Sequence, residues 1–270
     1  MRPRTIRALY DPQTRLAGCN LMDRARYKCI LRDVRKMSAV PGFRVREPLS
    51  MMQWGNGGML PVEEEGIVAS QYASPEDKET WVRLQTLLEP HRGTDLQDVV
   101  RNMFRDHATL TDPKAISHKI DEMMWVIPEI SRQRLLAESS SVTQTDDVEI
   151  EATSQYLPTQ SEPNRFRFTY RVRIKNTGQD IVRVNGRHWI FNHNTLKRDV
   201  LPRNSPGVVG HIPVIAPGHT FEYASGVDLE TPTGSASGCL HMTRFKASDG
   251  GEEEFDAAIS PFVLQPTVSD

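Results

Sequence analysis

Phe166-Arg167-Phe168-Thr169-Tyr170-Arg171-Val172-Arg173-Ile174-Lys175-Asn176 decides the fold of the larger part of this chain. Phe166, Phe168, Tyr170, Val172 and Ile174 alternate with Arg165, Arg167, Thr169, Arg171, Arg173 and Lys175. Successive side chains of a strand point to opposite faces, so a strict period of two predicts a strand with one buried face. Just upstream, Val148, Ile150 and Ala152 alternate with Glu149 and Glu151 in the same way. Downstream, turn signals fall at Asn176-Thr177-Gly178, Pro206-Gly207, Pro217-Gly218 and Asp249-Gly250-Gly251, with short strand-like runs between them. That rhythm predicts an antiparallel β-sandwich over 146–268.

Towards the N-terminus the period lengthens. Tyr27, Ile30, Leu31 and Val34 fall at helical spacing within 21–37, with Asp23 as N-cap. From Ser38 to Ser74, Pro41, Gly42, Pro48, Gly55, Gly57, Gly58, Pro61 and Gly66 leave no room for a long element, which marks an insertion or extended arm. Ser74-Pro75-Glu76-Asp77 then opens a helix carrying Trp81, Leu84, Leu87 and Leu88. Thr94 and Asp95 cap another, with an apolar stripe of Leu96, Val99, Val100, Met103 and Phe104. Asp112-Pro113 opens the last, through Ile116, Ile120, Met123, Met124 and Ile127. The Ser/Thr-rich stretch 139–145 reads as a linker, so the expected order is a basic segment 1–20, a helical domain 21–138 with insertion 38–74, the linker, and the sandwich.

Composition fits two modest domains: 270 residues, 38% hydrophobic, 25% charged. No run approaches the roughly 18 apolar residues of a transmembrane helix. Cys19, Cys29 and Cys239 show no C-x-x-C spacing, which indicates neither a disulfide framework nor a cysteine zinc site and suits a reducing interior. The net charge of -2 conceals an asymmetry, because residues 1–50 carry 12 Lys or Arg against four acids and the remainder is net acidic. A basic N-terminal part suits an acidic partner, and the acidic remainder disfavours nucleic-acid contact beyond a peripheral one. Arg2, Arg4, Arg7 and Arg15 against Asp11 also give the first twenty residues the composition of an organelle-targeting peptide.

Arg26-Tyr27-Lys28-Cys29-Ile30-Leu31-Arg32 resembles the first helix of the LYR-motif family, with the leucine of the triplet replaced and its arginine changed to lysine. Val100-Arg101-Asn102-Met103-Phe104-Arg105 and Thr111-Asp112-Pro113 resemble that family's second and third helices, although the intervening insertion departs from the family's short connection. Leu9-Tyr10-Asp11 is a rival triplet, but Pro12 follows at once. The resemblance implies a three-helix module that binds mitochondrial acyl carrier protein. Tyr27, Lys28, Arg32, Arg35 and Arg105 are the positions to which this role transfers, and no cofactor is bound directly beyond the partner's acyl-phosphopantetheine. A solvated basic face over a small core is the competing reading of such a helix.

The C-terminal half resembles the ApaG domain, a fibronectin-III-like sandwich, from about 142 to 266. The resemblance rests on Phe168 to Asn176, Gly186-Arg187-His188-Trp189, Gly207-Val208-Val209-Gly210, Ile215-Ala216-Pro217-Gly218, Phe221 to Gly226 and Glu230-Thr231-Pro232-Thr233-Gly234. Bacterial members often carry Gly-x-Gly-x-x-Gly; here Ser205 stands for the first glycine, and no strand-to-helix unit surrounds the string. Gly207, Gly210, Arg187 and His211 are accordingly a secondary candidate for anion binding, with a tight turn as the structural alternative. His188, His193, His211, His219 and His241 show no ligand-pair spacing, so no metal site is expected. Cys239 and His241 share a strand face, but no third, orienting group can be named, so no catalytic residue is assigned.

Together these readings predict a multidomain α-then-β protein that is not an enzyme. The expected role is that of an accessory subunit or assembly factor of a large mitochondrial complex, in the respiratory chain or the mitoribosome, in the matrix or on the matrix face of the inner membrane. The helices would bind acyl carrier protein and the sandwich other proteins. The alternative is a phosphate- or nucleotide-binding protein or hydrolase acting through the glycine turn.

Overall fold

Strand pairing converts the period-two segments into two facing sheets. The computed structural model describes residues 26–39, 58–60, 79, 82 and 95–266, with no side-chain description at 58–60, 122–125 and 204. The basic segment 1–20, Asp23, the greater part of insertion 38–74 and most of the helix expected after Ser74 lie outside the described residues, although Glu79 and Val82 are helical. The chain divides into two compact units, residues 1–43 with 91–134, and residues 44–90 with 135–270.

In the first unit, helix α1 spans 26–38, α2 spans Leu96–Asp106 and α3 begins at Pro113, running on to Glu138. Asp95 caps α2 by accepting from Gln97 N at 2.7 Å, and Asp112 accepts from Ala115 N at 3.1 Å, leaving Pro113 at the first helical position. The helices share one apolar cluster: Ile30, Val34, Met37 and Ile130, with Leu96, Val100, Phe104, Val126 and Ile127 against it. Beneath α1, the buried Asp33 carboxylate accepts from Ser131 Oγ at 3.1 Å and lies 3.5 Å from Arg134 Nε. Helix α3 continues through Pro128. An interior proline costs about 3 kcal/mol, and the buried Glu129, Ile130, Gln133, Leu136 and Ala137 that follow show the packing that offsets it. No described helix is long and apolar enough to cross a membrane.

The second unit contains β1 (Gly58–Leu60), β2 (Ser140–Thr145), β3 (Val148–Tyr156), β4 (Phe166–Asn176), β5 (Ile181–His193) and β6 (Arg198–Pro206). β7 (Val214–Ile215), β8 (Thr220–Leu229), β9 (Gly234–Phe245) and β10 (Glu252–Leu264) follow. One sheet has the order β1-β8-β4-β3-β2; the other has β10-β9-β5-β6, with β7 also paired to β5. Every pairing is antiparallel. The expected inward residues, Val148, Ile150, Ala152, Phe168, Tyr170, Val172 and Ile174, are all buried between the sheets, around a fully enclosed Trp189 that lies 5.1 Å from the Tyr170 ring.

Three sequence expectations change. The stretch 139–145 is not a linker: Ser140–Thr145 forms β2, paired along its whole length with β3. Its hydroxyls stitch the two sheets together, since Thr143 Oγ1 accepts from Ser260 N, Thr145 Oγ1 accepts from Ala258 N, and Ser141 Oγ donates to Ser260 O. Insertion 38–74 is not wholly an arm, because Gly58–Leu60 pairs with Thr220 to Glu222 at the β8 edge. Finally, the centre of β4 is buried on both faces: Thr169, Arg171 and, on β8, Glu222 are outward yet enclosed. Buried charges persist where they are paired, and Glu222 Oε2 accepts from Arg173 Nε at 2.9 Å with Arg171 Nε at 3.9 Å.

Candidate functional site

The outer face of the second sheet carries a cleft of about 730 Å³, lined by Asn185, Gly186, Arg203, His241, Glu254 and Asp256 among others. Strand phase sets which β9 side chains share the face that carries it. Leu240 and Met242 point into the core, so Cys239 and His241 stand on the opposite face of β9. The β9–β10 register sets Asp256 directly opposite His241, and the β9–β5 register sets Gly186 opposite it on the other side. A Cβ at Gly186 would lie 2.7 Å from the Ser205 carbonyl oxygen, so glycine permits the close approach of β6. Between the pairs Trp189↔Leu201 and Arg187↔Ser205, β6 holds three residues against one on β5. This bulge contains Arg203, whose Nη2 donates to Asp256 Oδ2.

Asp256 thus takes two partners, because His241 Nδ1 donates to its Oδ1 at 2.5 Å. His241 Nε2 is buried without a hydrogen-bond partner among the described residues. One ligand atom each from Cys239, His241 and Asp256 lies within 4.8 Å of the others. Burial pushes the Cys239 thiol up, the Asp256 charge adds to this, and Arg203 opposes it. The thiol by itself is therefore a poor nucleophile.

The residues singled out in the sequence fall in three places. Gly207 and Gly210 have positive φ, +57° and +79°, in the turn after β6. Three donors of the turn are used by backbone: Gly207 N bonds Asn185 O at 2.7 Å, while Val208 and His211 exchange backbone bonds at 2.8 and 2.9 Å. Arg187 Nη1 donates to the Pro206 and Gly207 carbonyls, and the His211 side chain is exposed. The geometry brings Arg187 to the turn as a brace for its carbonyls. In the helical unit, the Tyr27 ring packs on Phe104 at 4.7 Å. Lys28, Arg32 and Arg35 are exposed on α1, and Arg105 is exposed on α2, where its Nη1 donates to Asn102 Oδ1 at 3.2 Å. His193 is held inside its hairpin, donating from Nε2 to Asp199 Oδ2 and accepting at Nδ1 from Glu230 N. His188 and His219 bond the Leu201 and Pro217 carbonyls.

The third group that the sequence could not supply for Cys239 and His241 is Asp256. Its only linear signal is an acid in outward phase on the strand after the Asp249-Gly250-Gly251 turn, and Arg203 has no linear signal beyond Pro202 and Pro206 around it.

The ApaG domain family matches residues 157–244. Protein ApaG of Anaeromyxobacter dehalogenans (strain 2CP-C) is 40% identical over 125 residues, covering 46% of this chain and 94% of that protein. Protein ApaG of Bordetella pertussis (strain Tohama I) is 42% identical over 122 residues, 44% of this chain and 86% of that one. This chain belongs to the ApaG family. A crystal structure of a Bordetella pertussis protein described as ApaA aligns with 35% identity over 47% of this chain and 99% of that chain, at a TM-score of 0.42. The ApaG match runs from the residue before Pro158 through β9, so it takes in Cys239, His241 and the Gly207 turn. Asp256 and helices α1, α2 and α3 lie outside it.

Proposed function

We propose that the chain is a non-catalytic adaptor: its helical unit is a LYR-like module that docks an acyl carrier protein, and its ApaG sandwich engages further proteins. The observation that carries this reading is the division of α1 into two faces. Ile30, Asp33, Val34 and Met37 are buried, whereas Lys28, Arg32 and Arg35 recur at i, i+4 and i+7 and are all exposed. A cationic stripe on a helix fixed from behind suits an acidic helical partner, and such steering is screened by salt. Tyr27 and Arg105 belong to the same region in different ways. Tyr27 seats α1 on α2 through Phe104, and Arg105 extends the positive charge onto α2. The acyl-phosphopantetheine of the partner is the only prosthetic group the reading calls for. Its acyl chain would be received by the apolar cluster among the three helices. The cellular setting that goes with it is the mitochondrial matrix or the matrix face of the inner membrane, within a respiratory-chain or mitoribosomal assembly.

The test is affinity purification of the tagged full-length chain followed by mass spectrometry, with and without Lys28→Glu and Arg35→Glu. Both positions are exposed, so the double variant keeps its fold. The expected result is co-purification of acyl carrier protein with the parent and its loss with the charge-reversed variant. Recovery of the parent without that partner, or retention of the partner at equal yield by the variant, refutes the proposal.

A further inference from the structure

We propose that Cys239, His241 and Asp256 form a binding site for a zinc-class divalent cation on the outer face of the second sheet. Thiolate sulfur, imidazole nitrogen and carboxylate oxygen are the donor types that Zn²⁺ takes, at about 2.0–2.3 Å, and three protein donors with one open position is a common arrangement. Those bond lengths in a tetrahedron set donors about 3.3–3.8 Å apart. The three donor atoms here already lie within 4.8 Å of one another, so side-chain rotation alone gathers them. Two come from i and i+2 of β9 and the third from the residue paired with His241 on β10, so the spacing is set by two regular strands.

A further observation points to a ligand. His241 Nε2 is buried without a hydrogen-bond partner among the described residues, an arrangement that folded proteins ordinarily avoid. Arg203 reaches across from the β6 bulge and places its guanidinium on Asp256, so it competes with a bound metal ion for that carboxylate. The charges also balance: on binding, the thiol releases its proton to solvent, and one thiolate with one carboxylate neutralises a dication while the imidazole stays neutral. A thiol-nucleophile reading fits less well. Among the described residues no hydrogen bond joins Cys239 Sγ to His241, and a sheet face whose N–H groups are spent in the ladders offers no oxyanion donors.

The experiment uses metal-free full-length protein with Cys19→Ser and Cys29→Ser, so that Cys239 is the only thiol. Zn²⁺ is titrated against a chromophoric chelator, and Co²⁺ is used to read thiolate ligation by its sulfur-to-metal charge-transfer band. One ion per chain, a thiolate band, and affinity losses of about 100-fold in Cys239→Ser and His241→Gln are expected, with at least about tenfold in Asp256→Asn. Arg203→Gln frees Asp256 and is expected to tighten binding by up to about fivefold, the worth of an exposed ion pair. Far-ultraviolet circular dichroism of the metal-free variants checks that each is folded, and any one folded ligand variant suffices for the comparison. Absence of the thiolate band, its persistence in Cys239→Ser, or equal Zn²⁺ affinity in the parent and a folded ligand variant overturns the proposal, as does weaker binding in Arg203→Gln.

Discussion

Replacing the β2 hydroxyls tests how the two sheets are held together. β2 and β10 are the edges of separate sheets, and no backbone ladder joins them. Thr143 Oγ1 and Thr145 Oγ1 instead accept from Ser260 N and Ala258 N, each at 3.0 Å, and Ser141 Oγ donates to Ser260 O at 2.8 Å. The triple variant Ser141→Ala, Thr143→Val, Thr145→Val keeps side-chain size nearly constant, and valine is at least as good a strand former as threonine. A hydrogen bond contributes about 1 kcal/mol net, rising to about 1–3 kcal/mol where a buried partner is left unsatisfied. Ala258 is exposed and water can serve its N–H, so its loss sits at the low end; Ser260 is half-buried and loses bonds at both N–H and C=O. The expected total is about 2–4 kcal/mol, a large part of a typical domain stability of about 5–15 kcal/mol. Denaturant unfolding gives the total, and hydrogen exchange at the Ala258 and Ser260 amides localises it, with protection falling there more than at β4. A change within about 0.5 kcal/mol, with unaltered exchange at those two amides, would refute the reasoning and return 139–145 to the role of a plain connector.

Two other consequences are open to measurement. Gly238 has no room for a side chain, since a Cβ there would lie 1.9 Å from the His188 carbonyl oxygen in the neighbouring strand; Gly238→Ala should cost about 3 kcal/mol in thermal or denaturant unfolding, whereas Gly251→Ala, facing only the Asp249 side chain, should cost far less. The Asp228 carboxyl is raised by desolvation, but hydrogen bonds and charge from Arg167 and Arg165 outweigh this and leave it below its ordinary 3.8. A depressed folded value contributes stability above 3.8 that is lost as pH falls through the folded value, so the stability gap between the parent and Asp228→Asn should be constant near neutrality and close only in acid. A gap that closes between pH 6 and 8 would point to a histidine instead.

The sandwich core was legible because its chemistry is repetitive. Val148, Ile150 and Ala152, then Phe168, Tyr170, Val172 and Ile174, are inward, and each is at most 4% exposed. Strand β2 escaped because Ser-Ser-Val-Thr-Gln-Thr carries no apolar alternation. Its signal was a period-two recurrence of hydroxyls at Ser141, Thr143 and Thr145, visible as meaningful only once the β10 edge is known to lie opposite. The metal-ligand set escaped for a related reason. Cys239 and His241 were placed on one face correctly by strand phase, but Asp256 joins them through β-hairpin register, and Arg203 through a bulge whose extra residues cannot be counted along one strand. Around the glycine turn, motif spacing marks Gly207 and Gly210, while the bonds from Gly207 N, Val208 N and His211 N to backbone carbonyls are set by the folded turn and have no linear signal.

The two outer faces of the sandwich differ in what they can still do. On the first sheet, Glu151, Thr153, Thr169, Arg171 and Glu222 are each at most 3% exposed although they point away from the sandwich core. Enclosing a charge is costly unless it is paired, and the Arg171–Glu222–Arg173 contacts pair those three groups. A ligand reaching that face would have to break these ion pairs. On the second sheet, Asn185, Cys239 and His241 are half-buried and Asp256 is exposed, beside the bare backbone of Gly186. Among the described residues, donor atoms combine convergence with access there. The cation proposal therefore rests on the second sheet, and the proposal of an acidic protein partner rests on the exposed Lys28, Arg32 and Arg35 of α1.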